Sequence, residues 1–219
     1  MTQSSSIDPA LERALNALAP GIAVGHRLIA PGDEAALSDD EARSIASEVA
    51  AVRRASGAAR LVARELLARL GQPPCPLPKT ASGLPAWPED IAGSLAHDEF
   101  IAVAAVASRH EFEAVGIDIE PAAPLPPDVV DLVVTARERD SLRDDPLRDR
   151  LLFAAKEAVY KALYPRDRVF LEYHDIEVDL AAGKAVVRNG PVLELRFCRA
   201  SHVVVLAFAR PAATGAAQG

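Results

Sequence analysis

The sequence predicts an α+β chain built from two unequal halves, each with its own helices and strands. Helical segments with apolar residues three and four positions apart occur in both halves. Apolar runs of strand length also occur in both, and the chain is 50% hydrophobic over 219 residues, enough to bury a core. This pattern supports the fold class and leaves the topology open.

The first predicted helix and strand lie near the N-terminus. A helix is expected over 9–18, where Pro20 and Gly21 stop it, and the apolar run 22–28 is expected to form a strand. Farther along, 71–93 is rich in proline, glycine and polar residues, which indicates a long ordered loop.

The strongest helical pattern covers 38–70. Ser38 begins it with a capping sequence, and Gly71 is a suitable C-terminal stop. Because serine and glycine favour turns, Ser56-Gly57 is expected to divide the segment into two helices. Its many arginines make it the most basic stretch of the chain, for which solvated helix faces are the ordinary explanation.

Two apolar runs in the middle of the chain, 101–107 and 113–120, are predicted strands. The gap at 108–110 suits a hairpin turn between them. A proline-rich connection, 121–127, follows the second strand.

The last third of the chain is predicted to contain helices and then strands. The helices are expected over 127–134, 136–143 and 146–163, and Pro165 is expected to end the last one. The strands are expected over 175–180, 184–188, 192–198 and 202–209. The tail, 211–219, is small and polar and is predicted to be disordered.

Composition excludes several classes of protein. With 31 acidic and 24 basic residues the net charge is −7, which disfavours a general nucleic-acid binder. The sequence contains no run of about 18 apolar residues, so no membrane span is predicted. Two cysteines do not suit a disulfide scaffold or a structural zinc site. The polar first nine residues do not resemble a secretory signal, so we expect a cytoplasmic protein.

Two carboxylates alternate at the end of the predicted strand 113–120. Asp118 and Glu120 are two residues apart, so their side chains point to the same face of a strand. Two buried like charges repel unless a cation lies between them, and Mg²⁺ is the usual partner of such oxygen ligands. The alternative is an ordinary strand whose polar face meets solvent.

A second pair of charged residues lies on the predicted helix 146–163. Glu157 and Lys161 are four residues apart, so they share a helix face distinct from the apolar stripe. The ordinary explanation is a surface ion pair worth about 0.3–0.5 kcal/mol. The functional alternative is a third metal carboxylate beside a cation that contacts a reacting phosphate.

Together these motifs resemble the 4′-phosphopantetheinyl transferases, and especially the larger monomeric branch that activates surfactin- and enterobactin-type synthetases. Trp87-Pro88 followed by Gly93-Ser94-Leu95-Ala96-His97 resembles the tryptophan-proline and glycine-serine-x-x-histidine segments of that family. The run 58–64 is similar to the helix that supplies an arginine to coenzyme A.

This resemblance implies two related α/β halves, 1–110 and 111–210, arranged about a pseudo-twofold axis, with a flexible tail over 211–219. Coenzyme A would bind in the cleft between the halves. The implied reaction is the Mg²⁺-dependent transfer of 4′-phosphopantetheine from coenzyme A to a serine of an apo acyl or peptidyl carrier protein, with Mn²⁺ as an alternative metal. Adenosine 3′,5′-bisphosphate would be released, and a monomer is expected.

The resemblance also implies roles for individual residues. Asp118, Glu120 and Glu157 would bind the metal, and whether Glu157 also acts as the base that accepts the serine proton stays open. Lys161 would contact the phosphates and assist the leaving group. The coenzyme A contacts would be Arg60 and His97 at the 3′-phosphate, with Arg53 and Lys156 as further contacts.

Two departures from the family pattern concern phosphate contacts. Ala96 stands where the family often has serine, and 83–85 stands where some members carry lysine, for which Lys79 is a candidate substitute. Two other functions remain open at this stage: a Mg²⁺-dependent phosphohydrolase, and a non-catalytic module that binds coenzyme A or a carrier protein. The carrier and its pathway, such as siderophore or secondary-metabolite biosynthesis, also remain open.

Overall fold

The computed structural model describes residues 7–140 and 144–212, and there the chain forms helices and two antiparallel sheets. The predicted α+β class is confirmed. Most of the predicted tail lies outside the described residues. Within the described residues, no helix has the length and apolar character needed to cross a bilayer.

The first sheet has three strands in the order β1-β3-β2. These strands are β1 (Ala23–Leu28), β2 (Ile91–His97) and β3 (Ile101–Ser108). Three helices accompany them: α1 (Pro9–Asn16), α2 (Asp39–Ser44) and α3 (Ala50–Arg69), of which α3 packs against β1 and β3. The predicted helix and strand near the N-terminus are therefore confirmed.

The second sheet has five strands in the order β4-β8-β7-β6-β5. These strands are β4 (Ala114–Pro121), β5 (Ile176–Asp179), β6 (Lys184–Val187), β7 (Val192–Arg199) and β8 (His202–Ala209). Two helices accompany them: α4 (Pro127–Val133) and α5 (Arg148–Asp167), and α5 packs across β4 and β8. The four predicted C-terminal strands are confirmed, and the pseudo-twofold relation between the halves stays a prediction.

The predicted hairpin at 108–110 is wrong, because β3 and β4 lie in different sheets. β3 pairs on both sides, with β1 and with β2, and β4 pairs with β8 instead. The sequence predicted no strand at β2, whose first residues fall in the expected loop 71–93. Its alanine, glycine and serine residues give little of the β-branched signal that marks a strand.

The predicted break at Ser56-Gly57 is also wrong, because α3 runs through it. The interruption lies at 45–49, after the short helix α2, whose Ser38 and Glu41 form the predicted capping box. Gly57 has a different purpose: a Cβ atom there would lie 2.0 Å from the carbonyl oxygen of Asp33. Glycine is therefore needed for close packing and does not end the helix.

The second half differs from prediction in two helices. α5 continues past Pro165 to Asp167 and ends at Arg168 in the left-handed region, with φ 56°. Proline lacks a backbone donor and its ring crowds the carbonyl four residues back, so the helix ends within one turn of Pro165. The predicted helix 136–143 is a single 3₁₀ turn, Glu138–Asp140, and 141–143 lie outside the described residues.

Of the two largest apolar cores, one lies within the second half and the other joins the halves. One lies between α5 and the second sheet. The other includes residues of both sheets, among them Val103 and Ala105 of the first and Ile117 and Leu206 of the second. This shared core holds the halves together and leaves a cleft between α3, β2 and α5.

Candidate active site

Close contact between α5 and β4 brings the two charged motifs together. A Cβ atom at Gly116 would lie 2.0 Å from the carbonyl oxygen of Ala158, so only glycine allows the helix to approach this closely. On β4, Ile117 and Ile119 enter the core shared by the halves. Because side chains alternate along a strand, Asp118 and Glu120 lie on the opposite face, which α5 covers.

Each of the three predicted metal carboxylates accepts one hydrogen bond from a nearby donor. Lys161 Nζ donates to Asp118 Oδ1 at 2.6 Å, and Arg150 Nη1 donates to Glu120 Oε2 at 2.7 Å. The third bond, at 2.8 Å, runs from the Tyr173 hydroxyl to Oε1 of Glu157. Lys161 therefore reaches across to β4 and does not form the surface ion pair with Glu157 that the sequence left open.

Asp118 is the most perturbed of the three carboxylates. Burial raises the pKa of Asp118 to about 7, Lys161 acts in the opposite direction, and the negative charges of Glu120 and Glu157 raise it further. Its Oδ2 atom is buried and has no hydrogen-bond partner in the described part of the chain. A buried carboxylate with an unpaired oxygen is a group that a cation would stabilise.

The three carboxylates fit a hard divalent cation in their chemistry, since Mg²⁺ prefers carboxylate oxygens. In the arrangement described, no three acidic, histidine or cysteine side chains of residues 7–140 and 144–212 are grouped so that they could hold a metal ion. Lys161 and Arg150 neutralise two of the carboxylates instead. The unpaired Oδ2 of Asp118 is the observation that favours a bound cation.

A cavity of about 550 Å³ lies between the two halves, beside this cluster. α3 and β2 supply one wall, and the C-terminal part of α5 supplies another. Its basic lining residues are Arg60, Lys79, His97, Arg109, Lys161 and Arg168. No acidic side chain of the described residues lines the cavity, so its charge favours an anionic ligand.

Arg60 is a buried arginine at the wall of this cavity. Its Nε donates to the Leu77 carbonyl at 2.9 Å and its Nη1 to the Ser56 carbonyl at 3.1 Å. Glu41 lies 3.7 Å from Nε, which compensates part of the buried charge. Nη2 is buried and has no partner within the described residues, so its two N–H groups lack an acceptor.

His97 is at the end of β2, at the same cavity. Its Nδ1 lies 3.2 Å from the carbonyl oxygen of Asp98, and Nε2 has no hydrogen-bond partner among the described residues. The ring of Trp87 lies over Gly93, and both residues line the cavity. The tryptophan-proline and glycine-serine-x-x-histidine segments thus build one wall together.

Comparison with known proteins identifies the family. A model of the 4′-phosphopantetheinyl transferase N-terminal domain matches residues 40–107, and a model of the 4′-phosphopantetheinyl transferase superfamily matches 114–213. The 4′-phosphopantetheinyl transferase Svp of Streptomyces mobaraensis is 37% identical over 209 residues, which is 86% of this chain and 85% of the relative. The chain belongs to the 4′-phosphopantetheinyl transferase superfamily.

Two further members of this superfamily match shorter parts of the chain. The transferase Npt of Nocardia iowensis is 41% identical over 155 residues, which is 68% of this chain and 70% of the relative. The transferase PptT of Mycobacterium tuberculosis is 40% identical over 143 residues, 64% of this chain and 63% of the relative.

Two residues that the family resemblance implied as coenzyme A contacts, Lys156 and Arg53, do not line the cavity between the halves. Lys156 is completely buried, and its Nζ donates to Glu138 Oε2, to the Val133 carbonyl and to the Tyr173 carbonyl. Neighbouring residues on a helix point about 100° apart, so Lys156 faces inward where Glu157 faces the site. Arg53 does not line the cavity, and its Nη1 donates to the Ala42 carbonyl.

Several residues that were not predicted as site residues lie at the site. Lys79, which the sequence analysis treated only as a candidate substitute, lines the cavity with Arg109 and Arg168. Arg150 carried a usable signal, because it precedes Glu157 by seven residues and so lies on the same helix face. Tyr173 carried no signal, because its approach to Glu157 depends on how the chain returns after α5.

Proposed function

We propose that this transferase moves the 4′-phosphopantetheine group of coenzyme A to a serine hydroxyl of an apo acyl or peptidyl carrier protein. Adenosine 3′,5′-bisphosphate is the second product. Family membership supports the reaction. The observation that carries the assignment of the site is the position of Lys161, which lines the cationic cavity and also contacts Asp118.

The nucleotide end of coenzyme A is assigned to the cationic cavity. The 3′-phosphate and the pyrophosphate are anionic, and the lining supplies cations without a competing carboxylate among the described residues. Arg60 Nη2 is assigned to the 3′-phosphate because it lacks a partner among the described residues. His97 Nδ1 faces the Asp98 carbonyl, so Nε2 donates to the 3′-phosphate when the imidazole is protonated. Lys161 is assigned to the pyrophosphate, because among the described residues it alone both lines the cavity and donates to one of the three carboxylates.

The pantetheine arm is assigned to a second groove, of about 490 Å³. Tyr160 lines both this groove and the cationic cavity, so the two spaces meet at α5. The groove passes Glu157, and its other lining residues include the apolar Leu132, Phe170 and Leu171. An arm with few charges suits this environment better than it suits the cationic cavity.

Asp118, Glu120 and Glu157 are proposed to hold Mg²⁺, with Mn²⁺ as the alternative. A bound divalent cation there would neutralise charge on the pyrophosphate as the reaction proceeds. Within the chain, Lys161 places a positive charge near the phosphate that leaves. Glu157 is assigned the role of accepting the proton of the attacking serine, directly or through water.

In this reaction the serine oxygen forms a bond to the β-phosphorus of coenzyme A. The bond between that phosphorus and the bridging oxygen breaks, so the electron pair leaves with adenosine 3′,5′-bisphosphate. The serine proton goes to Glu157 and Lys161 stabilises the leaving charge. Positioning and charge stabilisation are the main tasks of a protein in phosphoryl transfer.

We also propose that the chain acts as a cytoplasmic monomer, with the halves dividing at residues 110 and 111. A single chain supplies both walls of the cavity, α3 and β2 from the first half and α5 from the second, which supports a monomeric site. The two sheets take their strands from 23–108 and from 114–209, which supports the division.

Intact-mass measurement of apo carrier proteins, incubated with coenzyme A, Mg²⁺ and the enzyme, tests the proposed function. The expected result is a carrier heavier by one phosphopantetheine group and an equal amount of adenosine 3′,5′-bisphosphate. The Asp118→Ala variant is the control for adventitious transfer. Cleavage of coenzyme A with no change in any carrier would contradict transfer and favour a phosphohydrolase.

A further inference from the structure

The three carboxylates of the site differ in the charge of their hydrogen-bond donors. Asp118 is bound by the ammonium of Lys161 and Glu120 by the guanidinium of Arg150. Glu157 accepts instead from the neutral hydroxyl of Tyr173, at 2.8 Å. Among residues 7–140 and 144–212, no cationic side chain forms an ion pair with Glu157.

A neutral donor has a different effect on a carboxylate from that of a cation. A cation lowers the affinity of the carboxylate for a proton and competes with any bound metal. A hydroxyl restricts the orientation of the carboxylate and leaves its full negative charge. Of the three, Glu157 is therefore oriented by a donor that adds no positive charge, which suits a group that binds a cation.

The ring of Tyr173 is held by the same helix face that carries Glu157. Phe153 and Glu157 are four residues apart on α5, so they are neighbours on that face. The Tyr173 ring lies 5.8 Å, centroid to centroid, from the ring of Phe153, and its hydroxyl extends to Glu157. A tyrosine hydroxyl, with an ordinary pKa of about 10, is protonated at neutral pH and can donate this bond.

The backbone carbonyl of Tyr173 is held by Lys156. Lys156 Nζ donates to the Tyr173 carbonyl at 3.0 Å. The same ammonium is fixed by Glu138 Oε2 at 2.8 Å and by the Val133 carbonyl at 2.7 Å. A buried ammonium with three acceptors has little conformational freedom, so it fixes the position of the Tyr173 backbone.

We propose that Tyr173 is a positioning residue, whose hydroxyl orients the charged Glu157 for the transfer reaction, and that Lys156 holds Tyr173 in place. This proposal rests on the proposed function only in giving Glu157 its role. It explains why Lys156, the helix neighbour of Glu157, points into the protein: the two residues hold opposite ends of Tyr173.

The test is Tyr173→Phe, which keeps the ring against Phe153 and removes only the hydroxyl. We expect kcat to fall about tenfold, because loss of a hydrogen bond to a ligating carboxylate typically costs 10–100-fold in activity or metal affinity. The KM for coenzyme A should stay within about twofold, since the nucleotide contacts are elsewhere. The melting temperature should move little, and Mn²⁺ affinity, titrated by electron paramagnetic resonance, should fall about tenfold.

The matched control is Ser201→Ala, which also removes a hydroxyl that donates to a carboxylate, Oδ2 of Asp8, away from both cavities. It should leave kcat and Mn²⁺ binding unchanged. Combining Tyr173→Phe with Glu157→Gln should lower Mn²⁺ binding no further than Glu157→Gln alone, because Tyr173 acts through Glu157.

Three results would overturn the proposal: unchanged kcat and Mn²⁺ binding in Tyr173→Phe, additive losses in the double variant, or a large fall in melting temperature that accounts for the loss of activity. Failure of the wild-type protein to modify any carrier would contradict the proposed function instead. The Mn²⁺ titration decides the role of Tyr173 in that case too.

Discussion

Glu41 and Asp118 are both buried carboxylates beside a long helix, one in each half, and they differ in how completely the fold satisfies them. Glu41 Oε1 accepts from the Leu77 amide at 2.8 Å and from Arg64 at 2.9 Å, and its Oε2 accepts from the Ser38 amide at 2.8 Å. Asp118 has one short bond, to Lys161, and a buried oxygen without a partner in the described part of the chain.

The pKa values of these two carboxylates move in opposite directions. Burial acts to raise the pKa of Glu41, but the Leu77 and Ser38 amides and the neighbouring arginines outweigh it, so the net pKa is lowered. For Asp118 burial prevails over Lys161 and raises the pKa to about 7. The first half satisfies its buried carboxylate within the fold, whereas the second half leaves one that a bound cation would satisfy.

The largest expected effect is the loss of transfer in Asp118→Ala and in Glu157→Ala. Each change removes a proposed metal carboxylate from the reacting centre, so single-turnover transfer should fall on the order of 10³-fold at limiting Mg²⁺. A thermal melt of each variant should show a folded protein. Glu41→Ala is the contrast, because it should lose about 3–5 kcal/mol of stability by breaking a buried charge network. Turnover like that of the wild type in either site variant would refute the metal assignment.

Lys161→Ala should lose about 10²–10³ in rate, far more than a surface ion pair explains. The reason is that its ammonium lies at the junction of the cationic cavity and the carboxylates. Lys161→Arg should rescue poorly, because the guanidinium is wider and does not give up its proton. Single-turnover transfer at saturating coenzyme A, measured beside a melt, is the check. A small melt shift with normal turnover would make Lys161 a purely structural residue.

Arg60 and Arg64 allow a matched test of the proposed 3′-phosphate site, because both approach Glu41 and, of the two, only Arg60 lines the cavity. Arg60→Ala should weaken coenzyme A binding about 10–100-fold, the range of one or two charge-assisted hydrogen bonds, with a smaller effect on the chemical step. Arg64→Ala should bind coenzyme A about as the wild type does. Calorimetric titration with coenzyme A and with the analogue that lacks the 3′-phosphate measures both.

His97→Ala should behave as Arg60→Ala does, with less effect on stability because His97 is exposed. The preference for coenzyme A over the analogue should shrink in both variants. An undiminished preference in either variant would show that the 3′-phosphate binds elsewhere.

The smallest expected effect is a gain in stability for Asp118→Asn without divalent cations. The folded pKa of Asp118, about 7, exceeds the ordinary 3.8, so the folded state retains a proton that the unfolded state releases. Wild-type stability is therefore lost as the pH rises from about 4 to about 7, and the variant escapes this loss. The net gain above pH 7 should be about 1–2 kcal/mol, after allowance for the hydrogen bond lost to Lys161.

Urea melts with a chelator, at pH values below and above this window, measure that gain. Glu41→Gln is the control and should show the opposite sign, because its lowered pKa contributes stability that is lost as the pH falls. An Asp118→Asn variant that is less stable than the wild type above pH 7 would show that the fold already satisfies Asp118.

The local sequence pattern predicted most of the helices and strands, but it did not predict which strands pair with each other. The strand over 202–209 and the cap at Ser38 were placed correctly, because alternation and capping depend on residues within a turn or a few positions. The pairing of β3 with β1 and β2, and of β4 with β8, depends on residues far apart in the chain. The short gap between the two strands carries no information about these long-range pairings, so the hairpin inferred from it was wrong.

The sequence by itself determined which charges share a face: Asp118 with Glu120 on a strand, and Glu157 with Lys161 on a helix, because those periods are set by backbone geometry. Only the tertiary structure decided their partners. The close approach of α5 to Gly116 turned Lys161 toward Asp118 and Lys156 into the core. The physical reason is that charged residues lie on several faces of α5. The way the helix packs against β4 determines which of these residues contacts the carboxylates of the strand.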